Sequence, residues 1–246
     1  MSPRHARVLL VSFGLVVVVD LVSLATGHDT GHTLAKPLLM PLLAAYVRVR
    51  GGPRFLVAAL LFGWGGDVLL LSDAEPAFLA GMASFAAGHV CYLLLFRQSS
   101  SKSTPRARGT GTAAGTVTGT GLTAVAYAVA LVVTVVLLWP GLPTGLRGPV
   151  VGYSLLLTAM AYGATRLGPV AGLGGVLFLA SDTLIASGVA EWPQLPRPDF
   201  WIMLTYTAAQ YLLVRGVMEV SGARPAGLLR ASEVTEVTNG SAPAAP

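Results

Sequence analysis

The chain has 246 residues, 54% of them hydrophobic and only 11% charged, with a mean hydropathy of +0.69. Soluble domains carry about 25% charged residues, so this composition excludes an ordinary water-soluble enzyme and points to a membrane protein. The net charge of +5 and pI near 9.7 do not call for a nucleic-acid partner, because basic residues in so apolar a chain gather in cytoplasmic loops.

A helical span needs about 20 predominantly apolar residues. The first candidate follows Arg4, His5 and Arg7 and runs over 8–25. It has the basic start and apolar core of a secretory signal, but it is long and no small-x-small cleavage site follows, so it reads as a retained span. Seven more follow at 33–49, 54–72, 76–96, 119–139, 148–166, 170–188 and 199–219. Proline and glycine mark most of the gaps, at Gly51-Gly52-Pro53, Pro76, Pro140-Gly141, Gly168-Pro169 and Pro193 through Pro198. The expectation is an all-α membrane protein of eight transmembrane helices within a single domain, 1–220.

The basic residues test that count, since cytoplasmic loops hold the excess of Lys and Arg. Arg4, Arg7, Arg48, Arg50, Arg54, Arg97, Lys102, Arg106, Arg108, Arg166, Arg215, Arg224 and Arg230 fall on one side, and only Lys36, Arg147 and Arg197 on the other. Both termini are therefore expected in the cytoplasm, with the protein in the plasma membrane. Residues 97–118, rich in Ser, Thr, Gly and Arg, read as a flexible cytoplasmic linker between halves of four spans, and 221–246 as a disordered cytoplasmic tail. The sole cysteine, Cys91, lies inside an apolar run, which excludes an intrachain disulfide and a cysteine-rich metal site.

Two carboxylates stand out because an acid at a helix centre costs roughly 2.5 to 3.5 kcal/mol on the insertion scale and usually marks function. Asp67 and Asp182 each open the pattern Asp-x-Leu-(Leu/Ile)-x-Ser, ending at Ser72 and Ser187, in the third span of each half. The fourth spans also correspond: Gly88-His89 before Tyr92-Leu93-Leu94 parallels Ala209-Gln210 before Tyr211-Leu212-Leu213. Halves with an even number of spans share one orientation, so the expected relation is an axis along the membrane normal. At the helical rise, Asp67, Asp182 and Tyr206 lie about 8, 9 and 10 Å from the outer ends of their spans, with His89 and Gln210 deeper. That layering predicts a polar pocket opening outward. In low dielectric a carboxyl group resists ionising, so one acid can keep its proton beside an ionised partner, the equipment of acid-catalysed hydrolysis.

Other residues carry less. Asp20 lies at similar depth without the Asp-x-Leu context and reads as structural or interfacial. His28 and His32 fall in an outer loop. His89 reads as either a proton carrier or a core histidine, and Tyr92, Tyr206 and Tyr211 as packing aromatics when taken singly. Lys36, ahead of Pro37 at the outer entrance of span two, either snorkels or meets a lipid phosphate. No metal and no cofactor are expected.

Gly63-Trp64-Gly65-Gly66-Asp67, Gly88-His89-Val90-Cys91-Tyr92, Ser181-Asp182-Thr183-Leu184 and Tyr206-Thr207-Ala208-Ala209-Gln210-Tyr211, with Lys36-Pro37, together resemble the YhhN or lysoplasmalogenase-like integral membrane proteins. The resemblance implies an eight-span hydrolase that cleaves the vinyl ether bond of a lysophospholipid, releasing a fatty aldehyde and a glycerophospho-choline or -ethanolamine. It implies further that Asp67 and Asp182 line the active site, with His89, Tyr206 and Gln210 around them; Tyr92, Ser181 and Lys36 are further candidates for supporting or substrate-binding roles. Such chemistry asks for one carboxylic acid and one carboxylate, as glycoside hydrolysis does for a similar cation; the sequence does not distinguish which Asp is which. The rival readings are a proton-coupled transporter, whose helices would be broken near Gly65-Gly66 and Gly174-Gly175, and a lipid-binding membrane protein without turnover.

Overall fold

Where the sequence reading placed spans, the computed structural model forms helices. It describes residues 3–72, 74–101 and 114–222. Among these, eight α-helices follow one another with no strand: α1 Pro3–Thr26, α2 Asp29–Val49, α3 Arg54–Leu69, α4 Glu75–Ser101, α5 Ala114–Leu138, α6 Thr144–Thr165, α7 Pro169–Val189 and α8 Pro198–Gly222. Four of them, α1, α4, α5 and α7, are both long and apolar enough to cross a bilayer by composition alone. With valines and leucines such as Val8, Leu15, Leu122 and Val136 more than half exposed on α1 and α5, the chain is a multi-pass membrane protein. In hydrocarbon only helices or closed barrels satisfy every backbone donor and acceptor internally.

Breaks between helices follow backbone chemistry. Gly51 turns the chain after α2 with φ +71°, and Gly168 sits at φ +129° just ahead of Pro169, the first residue of α7. Helix α2 carries Pro37 and Pro41 inside it. Pro41 has no N–H to offer the Pro37 carbonyl one turn back. The indole N–H of Trp64 on α3 donates to that carbonyl instead, at 2.9 Å. A backbone acceptor freed by proline is thereby satisfied across a helix pair, as low dielectric demands.

Successive helices pack as neighbours, most extensively α1 on α2, α3 on α4 and α7 on α8; α4 then meets α6, and α8 closes the bundle against α1 and α2. Leu39, Met40, Leu60, Tyr92, Phe178 and Leu213 fill the shared core. Small residues set the closest approaches. A Cβ on Gly174 would stand 2.9 Å from the Leu213 amide nitrogen, and one on Gly175 2.8 Å from the Ala161 Cα, so α7 touches both α8 and α6 nearly backbone to backbone. Both glycine pairs, Gly65-Gly66 and Gly174-Gly175, lie inside unbroken helices.

Three sequence expectations change. His32 is not in a loop: α2 begins at Asp29, because the turn at Gly27 and His28 is short, and His32 sits one turn into the helix. The segment read as a linker over 97–118 gives 97–101 to α4 and 114–118 to α5; polar residues next to an apolar run continue the helix that already satisfies their backbone. Residues 102–113 lie outside the described residues. Ser221 and Gly222, read as the start of the tail, complete α8, and 223–246 lie outside the described residues.

Candidate active site

The C-terminal ends of α3, α5 and α7 and the N-terminal ends of α4, α6 and α8 gather at one face of the bundle, the outer face of the sequence reading. There a polar vestibule opens among Lys36, Ser72, Glu75, Gln194 and Asp199, with about 1240 Å³ of free space. It narrows between Leu70, Phe78, Ile185 and Val189, which also line an apolar cleft of about 510 Å³ reaching Phe85, Tyr153 and Asp182. Tyr153, Ser154, Asp182 and Ala186 in turn form one wall of a third, partly open space of about 620 Å³ between α5, α6 and α7. The Asp182 carboxyl therefore stands where cleft and inner chamber meet.

Two hydrogen-bonded sets surround the acids. In the first, the Tyr206 hydroxyl on α8 donates to Asp67 Oδ2 at 2.8 Å, Gln210 Nε2 approaches the Tyr206 oxygen at 3.4 Å, and Tyr92 on α4 donates to Gln210 Oε1 at 2.7 Å. Gly63 makes room for this set, since a Cβ there would lie 3.2 Å from both Gln210 Nε2 and the Tyr206 hydroxyl. In the second, the Tyr153 hydroxyl on α6 donates to Asp182 Oδ2, and His89 Nε2 lies 3.1 Å from the same hydroxyl. With its proton given to Asp182, the Tyr153 oxygen can only accept from His89, so the proton of His89 is on Nε2. Nδ1 is then the bare nitrogen, and it is buried without a hydrogen-bond partner among the described residues.

Aromatic rings separate the sets. Phe178 meets Tyr206 edge-on at 5.5 Å and His89 at 4.9 Å. Phe85 meets Tyr206 at 5.9 Å and faces Gly66, where any Cβ would run into its ring. Phe85 also lines the cleft, so Asp67, only 2% exposed, sits one layer behind the cleft wall. The charged groups that act on Asp67 electrostatically are Lys36, Asp20 and Asp182. Lys36 itself is 9% exposed, lines the vestibule, and has no hydrogen-bond or ion-pair partner among the described residues.

The sequence-expected residues thus divide: Asp67 with Tyr206, Gln210 and Tyr92; Asp182 with His89; Lys36 at the vestibule. Ser181 lies beside Asp182 in the chain, yet its hydroxyl is committed to the Ile202 carbonyl of α8 at 3.1 Å. Asp20 is fully buried and paired through Oδ1 with His32 Nδ1 at 2.8 Å. Sequence reasoning missed Tyr153, which belongs to no repeated pattern. The available signal was depth: at 1.5 Å per residue it lies about 13 Å from the outer start of α6, close to the layer of the two acids.

Known proteins resemble this chain in sequence. The YhhN family model matches residues 31–217, a stretch that contains every member of both hydrogen-bonded sets. Lysoplasmalogenase TMEM86B of Homo sapiens is 32% identical over 172 residues, covering 66% of this chain and 63% of that protein. Lysoplasmalogenase TMEM86B of Sus scrofa is 31% identical over 170 residues, covering 69% of this chain and 66% of that protein. The chain therefore spans just under two-thirds of the length of each of these relatives. No solved structure matches it significantly. With three-quarters of its length under the family model, and with Asp67, Asp182, Tyr153, Tyr206 and His89 inside that match, the chain belongs to the YhhN family.

Proposed function

We propose that this protein is a membrane-embedded lysoplasmalogenase that hydrolyses the vinyl ether bond of a lysophospholipid, with Asp182 as the acid. The observation that carries the reading is the place of Asp182, at the junction of an apolar cleft and an inner chamber and held by the Tyr153 phenol. The relatives named lysoplasmalogenase support it. In the proposed reaction protonated Asp182 gives its proton to the alkenyl carbon remote from oxygen, and the adjacent carbon becomes an oxocarbenium ion. Water adds to that carbon and returns a proton to the carboxylate. The hemiacetal then loses the glycerol oxygen as an alcohol, so one water and one vinyl ether yield one aldehyde and one glycerophospho alcohol. Tyr153 fixes one Asp182 oxygen, leaving the other for the substrate, and His89 steadies the phenol.

Lys36 supplies the cation for the lipid phosphate in the vestibule. Asp67 acts from behind the wall, holding Tyr206 and balancing the Lys36 charge. This topology has eight spans, both termini cytoplasmic and the vestibule facing outward from the plasma membrane. The packing of α3 on α4 and of α7 on α8 supports two four-helix halves related along the membrane normal. A proton-coupled carrier would use broken helices at the paired acids; the unbroken α3 and α7 favour hydrolysis. The test is aldehyde release from an alkenyl lysophosphocholine by purified protein. Asp182→Asn should lower the rate about 10²- to 10⁴-fold, the usual worth of a general acid, while the variant keeps its helical circular dichroism. A variant as active as the parent would end the assignment.

A further inference from the structure

The vestibule and the cleft account for a head group and a reacting bond, but not for the third space. It lies beyond Asp182, walled by Tyr127, Leu131 and Thr134 of α5, Leu157 of α6 and Leu179 of α7. Its lining is dominated by carbon, and the Thr183 hydroxyl at its rim is turned back onto the Leu179 carbonyl at 2.7 Å, leaving its methyl free. The three spaces are adjacent, each sharing lining residues with the next. One end carries the largely buried Lys36, whose ammonium makes no hydrogen bond or ion pair among the described residues, and the other end is mostly apolar. That polarity matches a phosphate-bearing head on a single hydrocarbon chain.

We infer that the α5–α6–α7 chamber receives the hydrocarbon chain of the single-chain phospholipid and that the α5 residues Leu131 and Thr134, both half-buried and lining it, set the chain length accepted. This inference rests on the proposed function for the identity of the lipid. Helix α5 is suited to the task because its neighbours are α6 and, more lightly, α7, while Val129, Val132 and Val133 face outward. Added bulk on its inner face enters the chamber without dismantling the main core, which is built from the other helices.

The experiment uses saturated ether lysophosphocholines, which bind without being cleaved. A sixteen-carbon version with a diazirine near the chain terminus is photolysed with the purified full-length protein, and labelled peptides are identified by mass spectrometry. Label on the segment 127–138 of α5 is expected. Label confined to α1 and α8, where Phe13 and Tyr211 border a separate groove, would overturn the inference. In parallel, Thr134→Phe should weaken binding of an eighteen-carbon ligand at least about tenfold by displacing two or three methylenes. The ten-carbon ligand should bind unchanged, and Val129→Phe, adding the same ring to the outer face, should alter neither. Equal effects of Thr134→Phe on both ligands, or none on either, would sink the chain-length role. Because binding needs no turnover, these results stand apart from the hydrolase reading: a parent protein that binds the ligands in this way but releases no aldehyde from alkenyl lipid would refute the reaction and leave the chamber assigned.

Discussion

Tyr153 shows how one side chain can decide the behaviour of another. Its phenol donates to Asp182 Oδ2 and accepts from His89, so a single oxygen couples an acid on α7 to an imidazole on α4. A hydrogen bond to a charged group is worth about 1.5 to 3 kcal/mol. Tyr153→Phe is therefore expected to lower kcat roughly tenfold to a hundredfold while binding of a saturated ether analogue is unchanged. A parallel loss of analogue binding would mean that the ring only fills space. Lys36 makes the opposite split. Lys36→Met, similar in length but uncharged, should raise KM at least about tenfold for the phosphate-bearing substrate with kcat within a few-fold, by the same worth of a charge-assisted contact. A fall in kcat with KM unchanged would remove Lys36 from phosphate binding.

The site was partly legible at this scale. Asp67 and Asp182 stood out because ionisable groups are rare in apolar spans, and His89, Tyr206 and Gln210 were legible by depth. Two things escaped. Tyr153 carries no charge and sits in no repeated pattern, so nothing local separates it from a packing tyrosine. The aromatic wall of Phe85 and Phe178 was also invisible, since only the fold tells which phenylalanine stands between two acids.

Among the elements, α7 is the one on which the proposed chemistry turns. It presents Asp182 while its glycines let it lie against α6 and α8 at once. Gly174→Val would push a branched side chain at the Leu213 amide and the Ala209 carbonyl, at 2.9 and 3.0 Å from the first added carbon. Overpacking of this kind costs about 1 to 3 kcal/mol. The expected outcome is a lower unfolding temperature in detergent together with reduced turnover, because α8 carries Tyr206 and Gln210. An unchanged melting curve would show that the two helices separate freely. The helices themselves were legible from apolar run length and from Gly-Pro punctuation. Their ends were not, as the polar extensions of α4 and α5 illustrate, because hydropathy reads the membrane and not the backbone.

For the whole molecule, the distribution of basic residues gives a direct topological test. Arg50, at the C-terminal cap of α2, and Gln194, in the connection before α8, lie at opposite ends of the bundle. In a Cys91→Ala background, Arg50→Cys should resist a membrane-impermeant maleimide in intact cells and react only after lysis, whereas Gln194→Cys should react from outside. The reverse pattern would invert the proposed orientation. Overall handedness of packing, and the meeting of α4 with α6 that brings His89 to Tyr153, lay beyond the sequence. Those contacts join segments more than sixty positions apart, with no charge or pattern to announce them.

The pair formed by Asp20 and His32 bears on where this protein can be cut. The family-matched stretch begins at residue 31, so it keeps the histidine and discards the aspartate. Trimming to that boundary would strip α8 of a neighbour and uncover the imidazole; on the proposed eight-span topology it would also leave an odd number of crossings, obliging either the new leader or everything behind it to face the wrong compartment.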